Sequence, residues 1–249
     1  MPVATNLTVL PEQTLFDHGW PALPERHALC IGLTIDWERQ PVLHAFALHH
    51  CMPDEQVRAA RFSRPEDSLR HLLGRMLLRR AAAHYGGMDP AQPIALNAFG
   101  KPQPAPCTVN CNVSHAGNQV WLALARHAQV GIDVESSVAP NDIADISAQF
   151  HPEERAALRQ LAEPGLAAMR CWNRKEAVAK ATGMGLSLAL DAYAVSCAPA
   201  PANWLLVAPP GRERAHWTTL DLPVHTGFVC AVALDKPTVA VSLLRLHTT

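Results

Sequence analysis

The chain predicts an α+β fold, and three observations lead there. Two long segments carry apolar residues at helical spacing, several short runs alternate or are β-branched, and the composition is that of a packed globular chain. Of 249 residues, 49% are hydrophobic and 17% charged, a balance that supports a core and argues against disorder. The longest apolar runs, residues 120–125 and 228–234, fall far short of the ~20 residues that a bilayer span needs. A net charge of -1 gives no global basic field to draw the chain to nucleic acid or an anionic membrane. Any phosphate site must be built locally.

The first sixty residues are interrupted by proline and read as short strands and loops, with strands over 28–35 and 42–48. The first strong helix starts at Ser63: Ser63-Arg64-Pro65-Glu66 reads as a capping box, with proline in the first turn. Leu69, Leu72, Leu73, Met76 and Leu77 form its apolar stripe, Gly86-Gly87 ends it, and Arg70, Arg75, Arg79 and Arg80 lie off the stripe. A proline-rich loop with Phe99-Gly100-Lys101-Pro102 follows, then strands over 108–113, 120–125 and 130–134, the last two close enough for a hairpin. His151-Pro152-Glu153-Glu154 opens a second helix, its acids suited to the positive end of the dipole. A third runs from about Leu166 to Thr182 and stops at Gly183. Strands are expected over 192–196, 204–207, 216–220, 228–234 and 238–246. Each half thus has strands and a long helix, with no repeat in sequence. The division is set at 1–117 and 118–249.

Seven cysteines, an odd number, and no basic-then-apolar leader point to a reduced cytoplasmic protein rather than a disulfide scaffold. Cys107, Cys111 and His115 are four apart, but the run looks like a strand and lacks a fourth ligand at zinc-like spacing.

Three segments carry chemistry. In Gly131-Ile132-Asp133-Val134-Glu135 a strand sends both carboxylates to one face. Two such acids either sit in open solvent or share a hard cation such as magnesium. Trp172, Glu176 and Lys180 are spaced by four along one helix side. That spacing suits a surface ion pair, and it equally suits a third oxygen ligand beside a lysine that meets phosphate. Asn112-Val113-Ser114-His115 puts a hydroxyl, an imidazole and backbone amides at a strand end, either as a turn or as a grip on phosphate oxygens.

These segments, in this order, resemble the 4'-phosphopantetheinyl transferase superfamily, in its surfactin-synthetase-activating (Sfp-type) branch. The likeness rests on Phe99–Pro102, Asn112–His115, Gly131–Glu135 and Trp172–Lys180, with the run to Leu188, and more weakly on Arg58, Phe62, Gly74-Arg75 and 228–232. The resemblance implies a pseudo-dimer: two similar α/β halves in one chain, with coenzyme A in the cleft between them. The first half then supplies nucleotide phosphate contacts, and the second the magnesium ligands and catalytic helix. By position it implies Asp133, Glu135 and Glu176 as magnesium ligands and Lys180 at the pyrophosphate. Ser114 and His115 match the phosphate pair, Lys101 lies near the adenosine phosphate with Pro102 beside it, and Arg58 lies at the 3'-phosphate. His71 stands where some relatives have a small hydroxyl residue. The implied reaction moves phosphopantetheine from coenzyme A to a serine of an apo acyl, peptidyl or polyketide carrier protein, in fatty acid, polyketide or nonribosomal peptide synthesis. It releases 3',5'-ADP, with Glu176 or a nearby water as base. A monomer is expected. The carrier would meet the Arg70/Arg75/Arg79 face or the apolar surface at 184–188. Two other readings use the same residues: a magnesium-dependent nucleotide pyrophosphatase, and a coenzyme A or carrier-binding module without turnover.

Overall fold

A computed structural model describes residues 3–11, 20–138, 142–198, 202–214, 217–236 and 240–247. The strands are β1 (Val3–Pro11), β2 (His27–Thr34), β3 (Ala95–Leu96), β4 (Pro102–Gln103), β5 (Asn110–Ala116), β6 (Gln119–Ala125), β7 (Val130–Ser136), β8 (Ala202–Trp204), β9 (Thr218–Asp221), β10 (Phe228–Leu234) and β11 (Ala240–His247). The helices are α1 (Gln40–His49), α2 (Pro53–Ala59), α3 (Pro65–Gly86), α4 (Ile143–Ala148), α5 (Pro152–Leu158) and α6 (Pro164–Thr182).

One sheet runs β1-β11-β2-β6-β5 and a second β7-β10-β9-β8. Strand alternation explains the layering. In β2 and β6, Leu29, Ile31, Leu33, Leu122 and Leu124 face α1 and α3, while Ala28, Cys30, Trp121 and Ala123 face the second sheet. From that sheet Ile132, Val134, Cys230 and Val232 complete the core between the sheets, and Ala231 and Ala233 turn outward under α6. Helices therefore cover both outer faces of two packed sheets.

The two halves repeat at the level of topology. A first strand (β2 or β7) leads to a long helix (α3 or α6), and a later pair follows (β5 and β6, or β9 and β10). The last strand lies in the middle of each set, β2-β6-β5 and β7-β10-β9. Both long helices have proline in the first turn and end on a left-handed glycine, Gly87 and Gly183, with φ of 72° and 80°.

Several expectations need correction. Residues 42–48 form α1, not a strand: Pro41 opens it, and Leu43 and Ala47, four apart, are its buried residues. Ser63 does not cap α3. The residue before a proline is held extended, so Arg64 (φ -106°, ψ 129°) is the N-cap and makes no side-chain cap bond. Carboxylate caps occur instead on α2 and α5, where Glu55 and Glu154 accept the Met52 and His151 backbone N–H groups at 2.9 Å. β6 and β7 do not pair as a hairpin. β6 pairs with β5 through the turn at Gly117, and β7 with β10 in the other sheet. A division at 117/118 thus runs between two paired strands, whereas the change of sheet follows β6. Residues 192–196 and 204–207 meet only in an isolated Ala194–Val207 bridge. His216 and Thr238, expected to open strands, lie outside the described residues.

Among the described residues no helix is long and apolar enough to cross a membrane. The seven cysteines are free thiols.

Candidate active site

The site forms where β5, the edge of the first sheet, runs beside β7, the edge of the second. An edge strand exposes N–H and C=O groups that need partners. Here side chains of β5 supply them: Asn112 Oδ1 accepts the Ile132 N–H at 2.8 Å and Ser114 Oγ the Val134 N–H at 3.3 Å. Asn110 Nδ2 donates to the Ala128 carbonyl at 2.9 Å. The two halves are stitched on either side of Asp133.

α6 lies directly on the outer face of β7. A Cβ on Gly131 would stand 2.0 Å from the Ala177 carbonyl oxygen and 2.4 Å from the Ala181 nitrogen, so only glycine allows this approach. The contact brings Asn173, Glu176 and Lys180 over Asp133 and Glu135. Asp133 is 2% exposed. Its Oδ1 accepts from Lys180 Nζ at 2.5 Å and Ser114 Oγ at 3.0 Å, and its Oδ2 from Asn173 Nδ2 at 2.7 Å. Lys180 Nζ also reaches Ser114 Oγ at 2.9 Å. Ser114 thus uses its one donor and both acceptor positions inside this network.

Glu176 is 8% exposed, and its Oε1 is buried without a hydrogen-bond partner. Burial, then the charges of Asp133 and Glu135 against the opposing Lys180, push its carboxyl up to about 7. Burial and Asp133 raise Glu135 as well. Among the described residues no group of three or more His, Cys, Asp or Glu side chains is already arranged to hold a metal ion. The donor set nevertheless fits a hard divalent cation: three carboxylates in mutual repulsion, one with an orphaned buried oxygen.

A cleft of about 620 Å³ opens beside this cluster, lined by Phe99, Lys101, Pro102, Asn112, Glu176, Lys180 and Leu186 among others. The loop at Phe99–Lys101 wraps on Asn97, whose Oδ1 accepts two of its N–H groups and whose Nδ2 holds the Gly183 carbonyl at 2.8 Å. Lys101 lines the cleft, but its amine donates to the carbonyls of Val130 at 3.1 Å and Ala181 at 3.3 Å, closing the end of α6. Burial draws that amine down to about 8. Pro102 lies in β4, paired with Leu96.

His115 is exposed at the end of β5; the surrounding protein, then Arg70 and Lys180, hold its pKa below the ordinary value. Further along, Arg58 stands on α2 in a separate groove of about 590 Å³ with Val57, Arg61 and Phe62. Burial and then the charges of Arg75, Arg58 and His115 lower His71 to about 4, and its Nε2 is buried and unpartnered. Arg79 does not belong to an open basic face: it is 3% exposed and pairs with Glu55 at 2.9 Å. At 184–188, Leu186 is 79% exposed while Leu188 is buried. Trp172 packs partly buried in the core under α6.

Asp133, Lys180 and Ser114 are joined by hydrogen bonds, and Glu176 stands close enough to feel the charges of Asp133 and Lys180. Asn112 and Asn173 were given no role by sequence reasoning, although both stand inside the segments singled out.

Residues 129–233 match the family model described as 4'-phosphopantetheinyl transferase superfamily, and residues 35–127 the one described as 4'-phosphopantetheinyl transferase, N-terminal. The two matches meet between β6 and β7. A 4'-phosphopantetheinyl transferase of Bacillus subtilis is 35% identical over 148 residues, which are 57% of this chain and 64% of the relative, just under two thirds of its length. The 4'-phosphopantetheinyl transferase HetI of a Nostoc species is 32% identical over 73% of this chain and 77% of its own. The L-aminoadipate-semialdehyde dehydrogenase-phosphopantetheinyl transferase of Rattus norvegicus is 26% identical over 81% of this chain and 72% of its own.

Proposed function

Because this chain belongs to the 4'-phosphopantetheinyl transferase superfamily, we propose that it transfers the 4'-phosphopantetheine arm of coenzyme A to a serine of an apo carrier protein, with magnesium, releasing 3',5'-ADP. The observation that carries this reading is the meeting of Asp133, Glu176, Lys180 and Ser114 beside a cleft at the seam of the two halves.

Asp133, Glu135 and Glu176 would hold the magnesium, which when bound neutralises charge on phosphate oxygens. Lys180 donates to the pyrophosphate, a fixed cation where charge grows as the bond to the departing nucleotide breaks. His115 adds a donor at the same phosphates, and Ser114, whose hydroxyl proton goes to Asp133, holds the Lys180 amine beside them. The carrier serine oxygen forms the new bond to the β-phosphorus, and its proton passes to Glu176 or to a water beside it. Arg58, with Arg75 and the unpartnered His71 nitrogen, suits the 3'-phosphate dianion. Lys101 serves the nucleotide end through its loop, since its amine is engaged with backbone carbonyls.

With Arg79 buried, the exposed apolar rim of Phe99, Met184 and Leu186 is the better docking surface for a carrier. The enzyme is read as a cytoplasmic monomer with no nucleic acid partner, its halves dividing after β6. In the test, Asp133→Ala and Glu176→Ala lose carrier modification at saturating magnesium while still folding. Near-normal transfer by either would refute the assignment.

A further inference from the structure

We propose that Asn173 is a positioning residue for Asp133, its amide setting the plane of that carboxylate so that it meets a divalent cation in one orientation. The proposal rests on the reading of Asp133, Glu135 and Glu176 as magnesium ligands.

The two oxygens of Asp133 are held by different partners. Oδ1 is held by Ser114 on β5 and Lys180 on α6, and Lys180 also serves the phosphates in the proposed reaction. Among the described residues, Oδ2 has a single donor, the Asn173 amide at 2.7 Å. Asn173 is 1% exposed and stands three residues before Glu176, so one helix carries both a ligand and the brace of its neighbouring ligand. A neutral amide donor suits the place, because it fixes a carboxylate without adding charge to the cluster. Without it, Oδ2 is buried with no donor. The carboxylate is then free to turn and present both oxygens to Lys180, an ion pair that competes with a cation. Outer groups that orient ligands typically change metal affinity by about 10–100-fold when removed.

The test is a calorimetric titration of the full chain with Mg²⁺, for wild type and Asn173→Ala, beside transfer assays at varied Mg²⁺. The expected result is a dissociation constant raised about 10–100-fold, with transfer recovered to within a few-fold at saturating Mg²⁺. Coenzyme A affinity measured in EDTA should not change. Unchanged Mg²⁺ affinity would overturn the proposal. So would a loss of transfer that no Mg²⁺ concentration restores, together with weakened coenzyme A binding in EDTA, which marks a packing role. Should the alanine variant fail to fold, Asn173→Leu keeps the branched side-chain shape and removes the donor, and the same outcomes decide. If the wild type takes up no Mg²⁺ and transfers equally well in EDTA, the magnesium reading itself fails, and this proposal falls with it.

Discussion

Replacing Gly131 by alanine tests how closely α6 must lie on β7. The added Cβ would sit 2.0 Å from the Ala177 carbonyl oxygen, 2.4 Å from the Ala181 nitrogen and 3.0 Å from its Cα. All three are backbone atoms, so no side-chain rotation relieves the clash. Ordinary contact begins near 3.4 Å, so the helix must retreat by more than an ångström, carrying Glu176 and Lys180 away from Asp133. Overpacking of this kind costs about 1–3 kcal/mol, a fall in Tm of roughly 2–12 °C for a chain of this size. Misplacing catalytic groups by about 1 Å costs on the order of 10²-fold in rate. Thermal melts and single-turnover carrier modification, both at saturating Mg²⁺, measure the two effects. A variant that melts like wild type and transfers at the wild-type rate would refute the claim that this contact sets the site.

Three further outcomes follow from the same geometry. The folded Glu176 carboxyl holds its proton more tightly than the unfolded one, at about 7 against 4.5, so in metal-free protein this group's own contribution to stability falls by about 3 kcal/mol as pH rises across that interval; Glu176→Gln should remove that contribution from the difference in urea-unfolding stability between pH 4.5 and 7.5, and an unchanged difference would contradict the assignment. Asn112→Ala strips the Ile132 N–H of its partner and should cost about 1–3 kcal/mol in urea unfolding, with faster hydrogen exchange at Ile132 than at Val232; no loss of stability would count against the stitched edge. Lys175 and Glu154, both 0% exposed and 2.7 Å apart, should show strong coupling: Lys175→Met alone costs about 3–5 kcal/mol, and Lys175→Met with Glu154→Gln costs less than the sum of the two singles in a double-mutant cycle.

What the sequence made legible was local. The period of two along residues 131–135 put Asp133 and Glu135 on one face, and the stripe from Leu69 to Leu77 was buried as its spacing required. Glycine marked the C-terminal ends of α3 and α6 and proline the first turn of α3, whereas the start of α6 at Pro164 was read two residues late, at Leu166. The errors came where pattern is ambiguous or partners are distant. Residues 42–48 are so densely apolar that alternation and helical spacing both fit. The pairing of β6 with β5 rather than β7 depends on a tertiary choice between sheets. Asn112 and Asn173 were unreadable for the same reason: their partners lie 20 and 40 residues away, and an asparagine in a strand or helix gives no local sign of what it holds. Gly131 looked like an ordinary strand residue until α6 was seen lying on it.

The measurement that tests the central claim most directly is the intact mass of an apo carrier protein after incubation with this enzyme and coenzyme A, with Mg²⁺ or with EDTA. The account predicts a gain of one phosphopantetheine with Mg²⁺ and none with EDTA. Release of 3',5'-ADP without carrier modification would contradict it in favour of hydrolysis, and coenzyme A binding with no gain on fatty acid, polyketide or peptide carriers would contradict it in favour of a binding module.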